Sequence, residues 1–182
     1  MREIRSCGGR SMIGRPRSGR RRLVALLAAL LSAGSMALAD GTPQSTLPQS
    51  PAVGDTLPAF DAEGLDGALR HIEYPKGSVT ILLFFLSGCP VCHKMIPEWN
   101  GAFERRVKGL QVIGVLMDRE PPGFFIATPI SFPVVRSPGI GFLRELKVNR
   151  APLTLRVTTG GVVKDVGVGM LDPIRLGEIF RP

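Results

Sequence analysis

The run Val79-Thr80-Ile81-Leu82-Leu83-Phe84-Phe85-Leu86 is apolar at almost every position and is stopped by Ser87-Gly88. A β-rich stretch without polar alternation fits a strand covered on both faces, as in a sheet with helices on either side. Directly after the stop comes Cys89-Pro90-Val91-Cys92, then apolar residues four apart at Val91, Met95, Trp99, Phe103 and Val107. That spacing predicts a helix ending at Gly109, with Pro97 inside it as a kink. Gln111 to Met117 repeats the buried-strand pattern. Strand, helix and strand in this order predict a right-handed crossover.

The flanking chain extends this layout. Phe60 to Asp66-Gly67 reads as an early strand and turn, and residues 119–138 are Pro-rich and resist assignment. Ile140 to Leu146 reads as a helix. Leu153 to Thr158, the turn Thr159-Gly160-Gly161, and Val162 to Val168 read as a hairpin. Asp172 is placed to cap a last helix running through Phe180. The expected order is β, β–α–β, α, β–β, α, an α/β fold with a mixed central sheet and helices on both faces.

Charge is distributed unevenly. Residues 1–39 hold eight Arg and one acid, Glu3, a net charge of +7, whereas residues 40–182 balance 15 Lys/Arg against 14 Asp/Glu. The near-neutral remainder gives no basic patch for nucleic acid. Arg20-Arg21-Arg22, the apolar run Leu23 to Leu31, and Ala37-Leu38-Ala39 read as an export signal, either cleaved before Asp40 or retained as an anchor. Met12 is an alternative start to Met1, and the Arg20-Arg21 pair has a weak twin-arginine likeness. Residues 40–52, rich in Pro, Gln, Ser and Thr, read as a linker, and 53–182 as the folded domain. Removal of the signal takes Cys7 with it and leaves Cys89 and Cys92. A pair two residues apart cannot staple distant parts of a chain, so in an exported protein it reads as a reactive couple.

Cys89 stands where the buried strand meets a helix N-terminus. Free backbone N–H groups and the helix dipole favour an anion there, which makes Cys89 the expected attacking thiolate. Cys92, one turn on, is placed to attack a mixed disulfide on Cys89 and release the partner. Pro90 suits the first helical turn, where its missing N–H costs nothing. Three other readings stay open. Cys89-x-x-Cys92-His93 is also the pattern of covalent c-type haem attachment, although such cores are helical and this motif follows a strand. A zinc site would need His71 and His93 as further ligands. A plain structural disulfide, or inert thiols, is the third. His93 reads as a solvated helix residue or as a neighbour that favours a thiolate. His71 reads as surface, and Trp99 as core.

With these residues in view, the chain resembles the thioredoxin superfamily over about residues 53–180, most closely the exported TlpA-like thiol–disulfide oxidoreductases. The likeness rests on Val53-Gly54-Asp55-x-x-Pro58-x-Phe60, on Phe85 to Cys92, on Pro97 five residues after Cys92, and on Ala151-Pro152-Leu153-Thr154 before the Gly160-Gly161 turn. It implies a thioredoxin-like fold, catalytic Cys89 and Cys92 forming a redox-active disulfide, and a cis Pro152 facing them. Ala151 would then pair with an extended substrate stretch, and Pro90 and Pro97 would have supporting roles. It further implies a periplasmic monomeric reductase of disulfide-bonded exported proteins, fed by a membrane electron donor, with no metal or organic cofactor and no nucleic-acid partner. Two departures stand out. Gly88 replaces the tryptophan usual before the first cysteine, and Leu83 replaces the buried acid of thioredoxin, which puts a carboxylate relay to Cys92 in doubt. Cys-Pro-Val-Cys also resembles the thioredoxin-like accessory protein for methylamine dehydrogenase maturation. A peroxiredoxin likeness stops at the domain start, since no peroxidatic Thr-x-x-Cys setting is present.

Overall fold

The computed structural model describes residues 50–182. The residues read as an export signal, Cys7 among them, and most of the stretch read as a linker lie outside the described residues. The central apolar run forms β3 (Thr80–Phe85), buried at all six positions. Its alternate side chains enter different cores: Leu82 and Phe84 join one, while Ile81, Leu83 and Phe85 join the other. A strand buried on both sides needs no polar alternation, which is why the run is continuous.

Around β3 the chain forms β1 (Phe60–Gly64), β2 (Leu69–Ile72), α1 (Pro90–Glu104), β4 (Gln111–Leu116), α2 (Phe124–Ala127), β5 (Val134–Arg136), α3 (Ile140–Glu145), β6 (Leu153–Thr158), β7 (Val162–Val168) and α4 (Pro173–Ile179). The seven strands make one mixed sheet in the order β2-β1-β5-β4-β3-β6-β7. β3, β4 and β5 are parallel, and the remaining pairings are antiparallel. α1 and α4 pack over one face through Met95, Trp99, Leu176 and Ile179, and α3 covers the other through Leu143. This is the expected thioredoxin-like α/β domain.

Three elements go beyond the expected order: β2, α2 and β5. A further correction concerns α1, which ends at Glu104 and not at Gly109. Its buried face is Cys92, Met95, Ile96, Trp99 and Ala102. Val91 and Val107 are 39% and 47% exposed. Pro97 lies inside the helix, as read from the sequence. Asp172 caps α4 by accepting the Arg175 N–H at 2.8 Å.

The hairpin turn after β6 has one position that only glycine can fill. Gly161 has φ +83°, and a Cβ there would stand 2.0 Å from the Leu57 carbonyl oxygen. The close approach lets Leu57 N–H donate to the Gly161 carbonyl at 2.8 Å, which ties residues before β1 to the far edge of the sheet. Gly161→Ala is expected to cost about 3 kcal/mol or more, since left-handed strain and a backbone clash add. Gly160 also has positive φ, but its Cβ position is open, so Gly160→Ala is expected to cost only about 1 kcal/mol. Urea denaturation checks both, as a lowered midpoint at unchanged slope.

Candidate active site

The sheet register assembles the site. Phe85 pairs with Leu116 at the carboxyl ends of parallel β3 and β4. Residues two beyond each end therefore meet: Ser87 N–H and Oγ–H donate to Asp118 Oδ1 and Oδ2 at 2.8 and 2.9 Å. On the other side of β3, Phe84 pairs with Leu153 of antiparallel β6. That pairing delivers the segment just before β6 to the same end of the sheet, and its Ala151–Pro152 peptide bond is cis. Gly169 N–H donates to the Pro152 carbonyl at 2.9 Å, which anchors the loop from the β7 side.

α1 starts from this corner. Cys89 is its N-cap in extended conformation, and Pro90 occupies the first turn. The Cys89 sulfur accepts the Cys92 N–H at 3.2 Å, a capping interaction that a thiolate accepts more strongly than a thiol. Cys89 is half-buried and Cys92 is fully buried. Cys89 Sγ also lies 3.9 Å from the Ala151 carbonyl oxygen. Cys89, Cys92, Ala151 and Pro152 are thus brought together. Pro97 is exposed on α1, eight residues on from Cys89 and so about 12 Å along the axis, outside the cluster.

Cys92 and its neighbours differ sharply in setting. The Cys92 thiol is pushed up to about 12, first by burial and then by its hydrogen bond with Cys89, with the Leu86 backbone acting in the opposite direction. The charges of Cys89 and Asp118 raise it too. His93 Nε2 lies 2.7 Å from the Ser87 carbonyl oxygen. A carbonyl only accepts, so Nε2 carries the proton. His93 is solvent-exposed as expected, yet its ring is held by this bond and by an edge contact with Phe124. Trp99 is buried as expected and donates to Thr154 Oγ1 at 3.1 Å, joining α1 to β6 two residues past Pro152. His71 is exposed and pairs with Asp61. It lies on β2, so the zinc set of two cysteines and two histidines does not assemble. Among the described residues no three His, Cys, Asp or Glu side chains group as a metal site.

A cavity of about 670 Å³ borders the corner, lined by Leu86, Met117, Ile140, Leu143, Val148 and Asn149 among others. Gly88 has open space where a side chain would project. The residue that sequence reasoning missed is Asp118. Its only signal was an acid at the carboxyl end of the second buried strand, next to the strand that leads into the cysteines.

The Redoxin family model matches residues 52–174. The chain belongs to the Redoxin family. Among solved structures, this redoxin is similar to StoA from Bacillus subtilis, at 21% identity with a TM-score of 0.59, covering 74% of this chain and 100% of that one. It is similar to a putative thiol:disulfide interchange protein DsbE from Chlorobium tepidum, at 26% identity and a TM-score of 0.57, over 69% and 92% of the two chains. It is also similar to the exposed lipoprotein thioredoxin of Streptococcus pneumoniae, at 17% identity and a TM-score of 0.59, over 68% and 98%. Comparison with the curated proteins gives no match. With the Redoxin family and the interchange-protein neighbour at 26% identity, the chain is a thiol–disulfide oxidoreductase.

Proposed function

We propose that this redoxin is an extracytoplasmic disulfide reductase in which Cys89 attacks a substrate disulfide and Cys92 resolves the mixed disulfide. The observation that carries the reading is the capped, half-buried Cys89 sulfur beneath the cis Ala151–Pro152 bond, with buried Cys92 one turn behind it. A substrate in extended conformation would lie against Ala151, with Pro152 keeping its segment open beside Cys89 and Pro90 starting the helix that presents the sulfur.

Export is supported by the signal-like pattern of residues 1–39 and by the exposed lipoprotein among the structural neighbours. Partners would be disulfide-bonded exported proteins and a membrane electron donor. The methylamine-dehydrogenase-maturation reading shares this chemistry and differs in the substrate protein. The haem reading has less behind it, because His93 Nε2 is committed to the Ser87 carbonyl and the motif opens a helix packed on a sheet.

Equilibration of the purified chain with glutathione redox buffers, with a visible spectrum of the same sample, tests the proposal. The expected result is one reversible two-electron couple, nearer to thioredoxin at about −270 mV than to the strong oxidants at about −120 mV, with no visible absorbance. A couple near the oxidant end overturns the reductase direction. Absence of a reversible couple, or a Soret band, overturns the dithiol mechanism.

A further inference from the structure

If Cys92 resolves a mixed disulfide, its thiol must lose a proton inside the protein. The strand position at which thioredoxin carries an acid is Leu83 here, fully buried in an apolar core. A different carboxylate reaches the same neighbourhood from the next strand. His93, next to Cys92 in α1, is bonded through Nε2 to the Ser87 carbonyl, and Ser87 N–H donates to Asp118. The start of α1 that carries Cys92 and the Asp118 carboxylate thus meet at one residue, Ser87. Ser87 is 5% exposed, and its two hydrogen bonds hold both carboxylate oxygens. Each oxygen still has a free lone pair.

Asp118 is also open to water. It lines a groove of about 530 Å³ with Asp61 and Glu63 of β1, Arg136 of β5 and Arg119. Those groups are largely spoken for: His71 pairs with Asp61, and Arg136 pairs with Glu63 and Glu120. Among the described residues Asp118 is in no ion pair. From the α1 side, the charge of Asp118 bears on Cys92, and His93 stands on the far side of Ser87, bonded to its carbonyl.

We propose that Asp118 is the proton acceptor for Cys92 in the resolving step, with Ser87 as the positioning residue that holds it. The inference rests on the dithiol reading above. In the step, the Cys92 S–H proton passes through one water to Asp118, and the Cys92 sulfur bonds to Cys89 Sγ. The bond between Cys89 and the substrate sulfur breaks, and its electron pair leaves on the substrate thiolate, which is protonated from solvent. Asp118 then returns its proton to water in the groove. Together with the first attack, one substrate disulfide is reduced and the Cys89–Cys92 dithiol is oxidised.

Ellman's reagent separates the two steps on the reduced full-length chain carrying Cys7→Ser, which leaves Cys89 and Cys92 as its thiols. The first thionitrobenzoate released reports attack by Cys89, and the second reports resolution by Cys92. Stopped-flow traces from pH 4 to 9 are expected to show a second step in the wild type that falls off on a carboxylate limb at low pH. Asp118→Asn is expected to slow the second step at neutral pH by about 10²-fold or more, with the first step within about 3-fold of wild type. Its limb disappears and its rate then follows hydroxide. Asp118→Glu restores part of the rate, and His93→Gln keeps the limb. If Asp118→Asn fails to fold, Ser87→Ala tests the same point, since it keeps the charge and removes the Oγ–H donor to Asp118 Oδ2 while the backbone bond stays: a slowed second step with an unchanged first is expected. A second step as fast as wild type or faster, with the same pH profile, overturns the proposal, as does a limb that follows His93. Failure of the wild type to release the first thionitrobenzoate overturns the dithiol reading itself.

Discussion

Cys89→Ser should lower disulfide turnover by more than about 10⁴-fold, as removal of a covalent nucleophile does, while leaving the fold nearly unchanged. The fold is spared because serine is at least as good an N-cap as cysteine, and its hydroxyl can accept the Cys92 N–H that the sulfur accepts now at 3.2 Å. Cys92→Ser should behave differently. Attack survives, because Cys89 keeps its cap and its access, but the mixed disulfide has no internal thiol to resolve it. A covalent substrate adduct on Cys89 should then accumulate and be visible by mass spectrometry of the intact chain. The asymmetry follows from burial: Cys92 is fully enclosed and cannot meet a protein disulfide, whereas Cys89 is half-open under the Ala151 carbonyl. An adduct that builds up on Cys92 in the Cys89→Ser protein, and not on Cys89 in the Cys92→Ser protein, would reverse the assignment.

What could be read from the chain before its fold follows a physical divide. β3 was legible because burial on both faces removes polar interruptions, leaving a run that no surface element tolerates. The β6–β7 hairpin and the Asp172 cap were legible because each depends on chemistry within a few residues. β5 was not. It has three residues, Val134–Arg136, and its hydrogen bonds come from β4 and β1, both distant in sequence. β2 carries one buried residue in four, too little for a pattern. The overlong α1 has a geometric cause. A strict spacing of four advances about 40° beyond a full turn at each step, so Val91 leaves the face that Met95 and Trp99 share, and Val107 lies past the helix end at Glu104.

The site divides in the same way. The cysteines and the Ala151-Pro152 segment were visible as motifs, whereas the Ser87–Asp118 pair needed the β3–β4 register. His93 looked like a bystander because its partner, the Ser87 carbonyl, has no sequence signature. The departure at Leu83 is informative in retrospect. An apolar residue there lets β3 fill its core completely, and an acid, Asp118, stands instead at the open end of the sheet, where it lines a groove.

The second large effect concerns stability against pH. The folded Cys92 thiol is pushed up to about 12 from an ordinary value of 9.0, chiefly by burial. Below pH 9 the thiol is neutral in both folded and unfolded chains, and its contribution is fully present. Between pH 9 and 12 the unfolded chain gives up this proton while the folded one keeps it. The folded state then binds more protons, so stability falls as pH rises. The slope approaches about 1.4 kcal/mol per pH unit, and the whole window is worth up to about 4 kcal/mol. Tyr74, raised in the same direction by burial, titrates in an overlapping range, so the effect must be read as a difference. Urea denaturation of the reduced wild type and of Cys92→Ala from pH 8 to 10.5 removes everything the two share. The wild type's advantage should shrink by about 2 kcal/mol over that range. Curves that stay parallel would mean that Cys92 ionises in the folded protein as readily as in the unfolded one. The order of the two steps would then rest on the enclosure of Cys92 alone.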